Sequence, residues 1–222
     1  MRLRALLLHA LVLAALAGLV TVTRGVALRT AATAPHQVAA LPAIPFLEVS
    51  ALGYREAAAD IAWLQAVQYY GEHRQGGNDL AEFQHYVAAV NALDPRFQHA
   101  YIFGAFVLAT EQRDLPAALA VLRRGAQANP ESPHFPFEMG FLTFVEGGDL
   151  EASLRYLALS AQRPGGRDRA LRFMAHLNRR LGRLETAWML WNEIYRSSRD
   201  PSLRTIAAES MQRLQSQLGR QP

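Results

Sequence analysis

Arg172, His176, Arg179 and Arg183 are the residues whose types and spacing best suit chemistry. They are four, three and four apart, so on a helix they fall within about 60° of one another. Leu171, Met174, Leu177 and Leu181 occupy the opposite face, and Arg163, Arg167, Arg169 and Arg180 surround the basic stripe. A guanidinium is a planar fork that grips a carboxylate or phosphate at two points. Such a stripe therefore predicts docking of an acidic peptide, a partner carboxylate or an anionic headgroup. A solvated helix face has the same composition, and the sequence leaves both readings open.

Two further polar pairs stand out. Asp60 sits one turn from Trp63 in an apolar stretch, either bonded to a neighbour such as Arg55 or set to meet a partner's basic group. Glu82 and His85 have the Glu-x-x-His spacing that builds metal pairs in helix bundles, but a pair needs a second copy and the chain has none. The seven histidines, His9, His36, His73, His85, His99, His134 and His176, are scattered. No P-loop, dinucleotide glycine fingerprint, Gly-x-Ser-x-Gly or His-Glu-x-x-His occurs. The expectation is a protein without catalytic residues, cofactor or metal; an enzyme accessory subunit, or a weak hydrolase with a site between helices, is the lesser alternative. Tyr101, Phe103, Phe106, Phe135, Phe137, Phe141 and Phe144 form an aromatic set, most of it expected in core packing, with one or two rings left to line a groove.

These residues are positioned by a repeated unit. Gly140 to Pro164 reads as helix, Gly-Gly turn, helix and proline stop. Apolar residues recur at helical spacing on both sides of Gly147-Gly148: Phe137, Phe141 and Phe144 before it, Leu150, Leu154, Leu157 and Ala161 after it. Ala118, Ala152 and Ala187 are 34 and 35 residues apart, and Pro95, Pro130 and Pro164 are 35 and 34 apart. A period of 34 in helix pairs marks tetratricopeptide repeats.

From about Ala57 to Pro201 the chain resembles the tetratricopeptide-repeat (TPR) superfamily. In the third repeat Gly140, Gly147, Ala152, Tyr156 and Pro164 fall at family spacings. The second has Ala118, Leu122 and Pro130. The fourth has Gly182, Leu184, Ala187 and Trp191, with Pro201 two residues late. The first departs most: it has Trp63, Val67, Tyr70 and Pro95, but Phe83 where a small residue is usual, and its turn, Gly71 to Asp79, is about four residues too long. The resemblance implies a right-handed solenoid of about four helical hairpins, with the first helix of each pair on the inner surface. It also implies a scaffold that binds a protein or peptide.

Helices are expected over Ser50–His73, Asn78–Ala92, Arg96–Gln112, Leu115–Ala128, His134–Glu146, Leu150–Gln162, Asp168–Leu181 and Leu184–Arg196. Ser50 is the expected cap of the first. Tyr54, Ala58, Ile61, Leu64 and Leu47 are its expected buried face, with Trp63, Val67 and Tyr70 beside them. Pro201–Leu218 adds an amphipathic helix, apolar at Leu203, Ala207, Met211, Leu214 and Leu218, that suits a terminal cap.

Upstream, Ala5 to Val22 is an apolar run of about 18 residues, preceded by Arg2 and Arg4 and ended by Arg24. That length just spans a bilayer. A cleaved signal peptide is the alternative, with Ala15-Leu16-Ala17 as its site. The expected organisation is a transmembrane signal anchor over 1–24, an Ala/Pro linker over 25–46 and the helical repeat domain over 47–222. Arg2, Arg4 and the terminal amine favour a cytoplasmic N-terminus, and Arg24 and Arg29 oppose it. On balance the domain is expected outside the cytoplasm, periplasmic in a Gram-negative cell. There is no cysteine and no lysine, so all 23 basic residues are arginine. A net charge of +4, spread unevenly, does not match a nucleic-acid binder. The expected partners are a protein or peptide, acidic if the stripe is used, the membrane through the N-terminal helix, and a second copy if the chain self-associates.

Overall fold

A computed structural model describes residues 18, 21, 41–76 and 80–219. The chain divides into two compact units, Met1–Ala40 and Leu41–Pro222. In the first, the described residues Gly18 and Thr21 are helical, and the Thr21 hydroxyl donates to the Gly18 carbonyl at 2.9 Å. The expected membrane anchor therefore lies outside the described residues apart from these two. Among the described residues no helix is long and apolar enough to cross a membrane.

The described residues of the second unit fold into ten helices: α1 (Ile44–Ser50), α2 (Arg55–Gly76), α3 (Ala81–Leu93), α4 (Gln98–Thr110), α5 (Leu115–Ala128), α6 (His134–Val145), α7 (Leu150–Ala161), α8 (Arg167–Arg180), α9 (Leu184–Ser197) and α10 (Pro201–Leu218). From α2 to α9 they pack as four consecutive pairs, and each pair packs on the next. Short connections force neighbouring helices to be antiparallel. The all-helical, TPR-like array anticipated from the 34-residue period is thus present, with α10 packed on α9 as its last layer.

Local chemistry explains the boundaries. Asp114 and Asp149 cap α5 and α7, accepting the Ala117 and Ala152 backbone N–H groups at 2.9 and 2.8 Å. Asp200 caps α10 in the same way, and Pro116 and Pro201 sit in first turns, where a missing N–H costs nothing. Arg113, Gly148 and Gly182 hold equivalent places in three successive turns, all left-handed, with φ of 55°, 67° and 74°.

The helices approach closely wherever one partner is small. A Cβ on Gly125 of α5 would lie 2.2 Å from the Phe135 ring of α6, so the phenyl fits because the glycine leaves room. Tyr101, Leu122, Phe135 and Leu142 share that core. In the third pair Ser153 is fully buried and donates to the Gly140 carbonyl at 2.7 Å. Ala118 and Ala187 are fully buried as the repeat spacing predicts, whereas Ala152 is only half-buried. Side-chain latches join successive pairs. Asn129 donates to the Pro95 carbonyl at 3.2 Å, Ser160 to the Pro133 carbonyl at 2.8 Å, and Ser198 to the Asp168 carboxylate at 2.7 Å.

The start of the array corrects four expectations. Ser50 closes α1, donating to the Leu47 carbonyl at 3.1 Å, and does not cap α2. Leu52 and Gly53, both at positive φ, turn the chain before α2 begins at Arg55. The end of the expected linker is therefore helical, and Leu41 and Leu47 pack on the first pair. The overlong turn is largely a continuation of α2 to Gly76, with residues 77–79 outside the described set. The fourth correction is the buried face. Ala59, Ala62, Ala66 and Tyr69 point inward, whereas Tyr54, Ile61, Leu64 and Val67 are exposed. In this pair α3 supplies the bulk, with Phe83, Tyr86 and Val90 buried. Its partner must then offer alanines for the helices to approach.

Candidate functional site

The helix that carries the basic stripe, α8, buries Ala170, Leu171, Ala175 and Leu177 against its neighbours. Arg172, His176, Arg179 and Arg183 are all exposed. They are not equivalent. Both terminal nitrogens of Arg183 reach the Glu151 carboxylate, a fork-on-fork pair that joins two turns of the array. Arg172 and Arg179 make no ion pair among the described residues.

The surrounding arginines are largely committed to the fold. Arg163 donates to the Ser132 carbonyl at 2.7 Å, and Arg167 pairs with Glu193. Arg169 donates to Glu138 at 3.0 Å while its guanidinium lies 3.6 Å from the centre of the Phe137 ring. Arg180 lies 5.0 Å from the centre of the Phe144 ring. Phe173, on α8 beside Arg172, packs its ring 5.6 to 5.8 Å from those of Phe137, Phe141 and Phe144. This aromatic block fixes α8 on α6, and arginines lie over its edges.

Beside the middle of the stripe is an open cleft of about 400 Å³. His176 and Arg179 of α8 line it with Trp191 of α9 and Ile206, Ser210, Arg213, Leu214 and Gln217 of α10. Trp191 and Leu214 are part of the core and give the cleft an apolar floor. Arg213 donates to the Ser210 hydroxyl at 3.1 Å and approaches Glu209 only to 4.0 Å, a weak surface pair. Partial desolvation by the residues around it holds the exposed His176 below its ordinary 6.5, and the neighbouring charges of Arg179 and Arg180 lower it further. At neutral pH the cleft thus presents two guanidinium groups, a neutral imidazole and an apolar floor. It can receive a carboxylate beside an apolar side chain.

Sequence reasoning did not find Arg213, Ile206 or Phe173. Arg213 lies 30 or more residues from the stripe, on a helix whose apolar period pointed only to capping. What joins it to Arg179 is the crossing of α8, α9 and α10, for which the one-dimensional pattern carries no signal.

The other two expected contact residues lie at the opposite end of the array. Asp60 is exposed and makes no ion pair among the described residues, since Arg55 pairs with Glu48 at 2.9 Å and donates to the Ala92 carbonyl at 2.7 Å. Trp63 is half-buried, its ring 5.6 Å from Phe97 and 5.7 Å from Phe103, so it cements α2 to α4. Of the aromatic set, Tyr101, Phe135 and Phe137 are buried and Phe106 is the most exposed. Among the described residues no three His, Asp or Glu side chains gather as a metal site would need.

No family model matches the chain, and neither does any curated protein. Among solved structures it is similar to a thermophilic TPR protein of Thermus thermophilus, at 18% identity over 76% of this chain and 99% of that one, with a TM-score of 0.46. What makes this array TPR-like is its own succession of helix pairs, with left-handed turn residues and capping aspartates at repeated positions.

Proposed function

We propose that the chain is a non-catalytic adaptor that holds an acidic segment of a partner protein in the α8–α10 cleft. The observation that carries this reading is the convergence of Arg179, Arg213 and His176, from two separate helices, around an apolar floor. A groove already shaped before binding reduces the ordering that a peptide must undergo. Arg172 extends the basic surface along α8, so an extended acidic segment has contacts beyond the cleft. Arg183, held by Glu151, serves the fold and contributes to the ligand only through its long-range field.

The anchor belongs to this proposal. The apolar run Ala5–Val22 would fix the chain in the cytoplasmic membrane with the repeat domain outside the cytoplasm. The partner would then be a component of a cell-envelope assembly. A structural spacer, in which copies of the array associate with one another, is the second reading; it would rest on exposed apolar residues away from α2, such as Val145, Leu159 and Met189.

Crosslinking in native membranes, with the full-length chain tagged at its C-terminus, separates the two. The adaptor reading expects a second protein in stoichiometric yield with the bait. Recovery of bait crosslinked only to itself would replace it with the spacer.

A further inference from the structure

Helix α2 is apolar on two opposite faces, and only one of them is used within the described chain. Ala59, Ala62, Ala66 and Tyr69 pack inward. Ala57, Ile61, Leu64 and the preceding Tyr54 form a stripe on the far side, within about 80° at 100° per residue, and Val67 lies near it. Ile61 and Leu64 are 59% and 63% exposed and Tyr54 is 77% exposed, so these side chains stand free of the array. Phe46, Val49 and Leu52 add exposed apolar groups at the same end.

The interior helices show what such a face normally meets. Helix α4 lies between α3 and α5, with Ala100, Tyr101, Gly104, Ala105, Val107, Leu108 and Ala109 buried around most of its circumference. Among the described residues no helix pair precedes α2, and its outward apolar face is exposed. An apolar stripe on a helix is filled best by another helix. The charges on this face specify that helix further. Glu56 and Asp60 border the stripe on one side and Glu72 on the other, all exposed and without an ion pair among the described residues.

We propose that the outward face of α2 seats a helix of a partner protein whose apolar stripe is flanked by arginine or lysine. A second copy of this chain fits poorly. In a two-fold antiparallel pairing of α2 with itself, like edges share one side, which brings the Glu56 and Asp60 edge of one copy alongside the same acidic edge of the other. A basic-flanked helix instead meets the acids with opposite charge while its apolar residues cover Ile61 and Leu64. This surface does not depend on occupation of the basic cleft.

The test is a photo-crosslinking side chain at position 64 of the full-length chain in its native cells, with the crosslinked peptide sequenced. The expected product is a segment of another protein with arginine or lysine within a turn of the crosslinked residue. Its yield should fall on the order of fivefold in Glu56→Gln, Asp60→Asn, Glu72→Gln, from three surface charge pairs lost. Thermal melting confirms that this variant folds, as expected for exposed sites. Crosslinks to a second copy, to another segment of the same chain or to lipid overturn the proposal, as do no product and a yield indifferent to the acids. Arg172→Gln, Arg179→Gln is carried in parallel and reports on the cleft alone, so either surface can fail without the other.

Discussion

At Arg113 the backbone holds φ at 55°, the conformation that glycine supplies in the next two turns at Gly148 and Gly182. A Cβ is disfavoured there by about 1–2 kcal/mol, partly offset by the extra freedom that glycine has when unfolded. Arg113→Gly should therefore stabilise the fold by about 1 kcal/mol, and Gly148→Ala should destabilise it by a similar amount. Denaturant midpoints read both. Acid titration probes His176. Its folded pKa lies below the ordinary 6.5, so the native state resists a proton that the unfolded chain accepts. Stability is retained above about 6.5 and falls as the pH drops below it, towards the lowered native value. His176→Gln should flatten that part of the stability profile. An equally steep profile would mean that other groups govern it.

Helix pairing in this chain rests on contacts between large and small residues, and Gly125 is the tightest. An added methyl group would lie 2.2 Å from the fully buried Phe135 ring. Although alanine is the better helix former, Gly125→Ala should cost about 1–3 kcal/mol through overpacking, read as a lower unfolding midpoint. An unchanged midpoint would mean that the ring shifts freely. The helices from α5 to α10 were legible because their boundaries carry local signals: an aspartate cap on α5, α7 and α10, a glycine in the turn or a proline at the stop. The inward face of α2 was not. Its sequence is apolar on opposite sides, so periodicity cannot choose between them, and the choice falls to the bulk of Phe83, Tyr86 and Val90 on α3. The same limit applies to the candidate site. Arg172, His176 and Arg179 share one helix and could be found by spacing, whereas Arg213 joins them through tertiary packing.

The two ends of the array are finished differently. At the C-terminal end α10 covers Trp191 and Ile194 with Leu203, Ala207 and Leu214, and turns Arg204, Gln212 and Gln215 to solvent. At the start, α2 leaves Ile61 and Leu64 exposed beside acids that make no ion pair among the described residues. One end thus offers arginines around an apolar floor and the other an apolar stripe bordered by carboxylates, an arrangement suited to bridging two segments of opposite charge. The central claim is that the basic cleft holds an acidic partner. Its most direct measurement is quantitative capture of the crosslinked partner by the full-length chain and by Arg172→Gln, Arg179→Gln, Arg213→Gln, each at low and high salt. The account predicts that the variant loses most of the capture at low salt, and that the unaltered chain loses it as salt rises. Equal capture by both chains at every salt concentration would contradict it and leave the arginines as solvated surface.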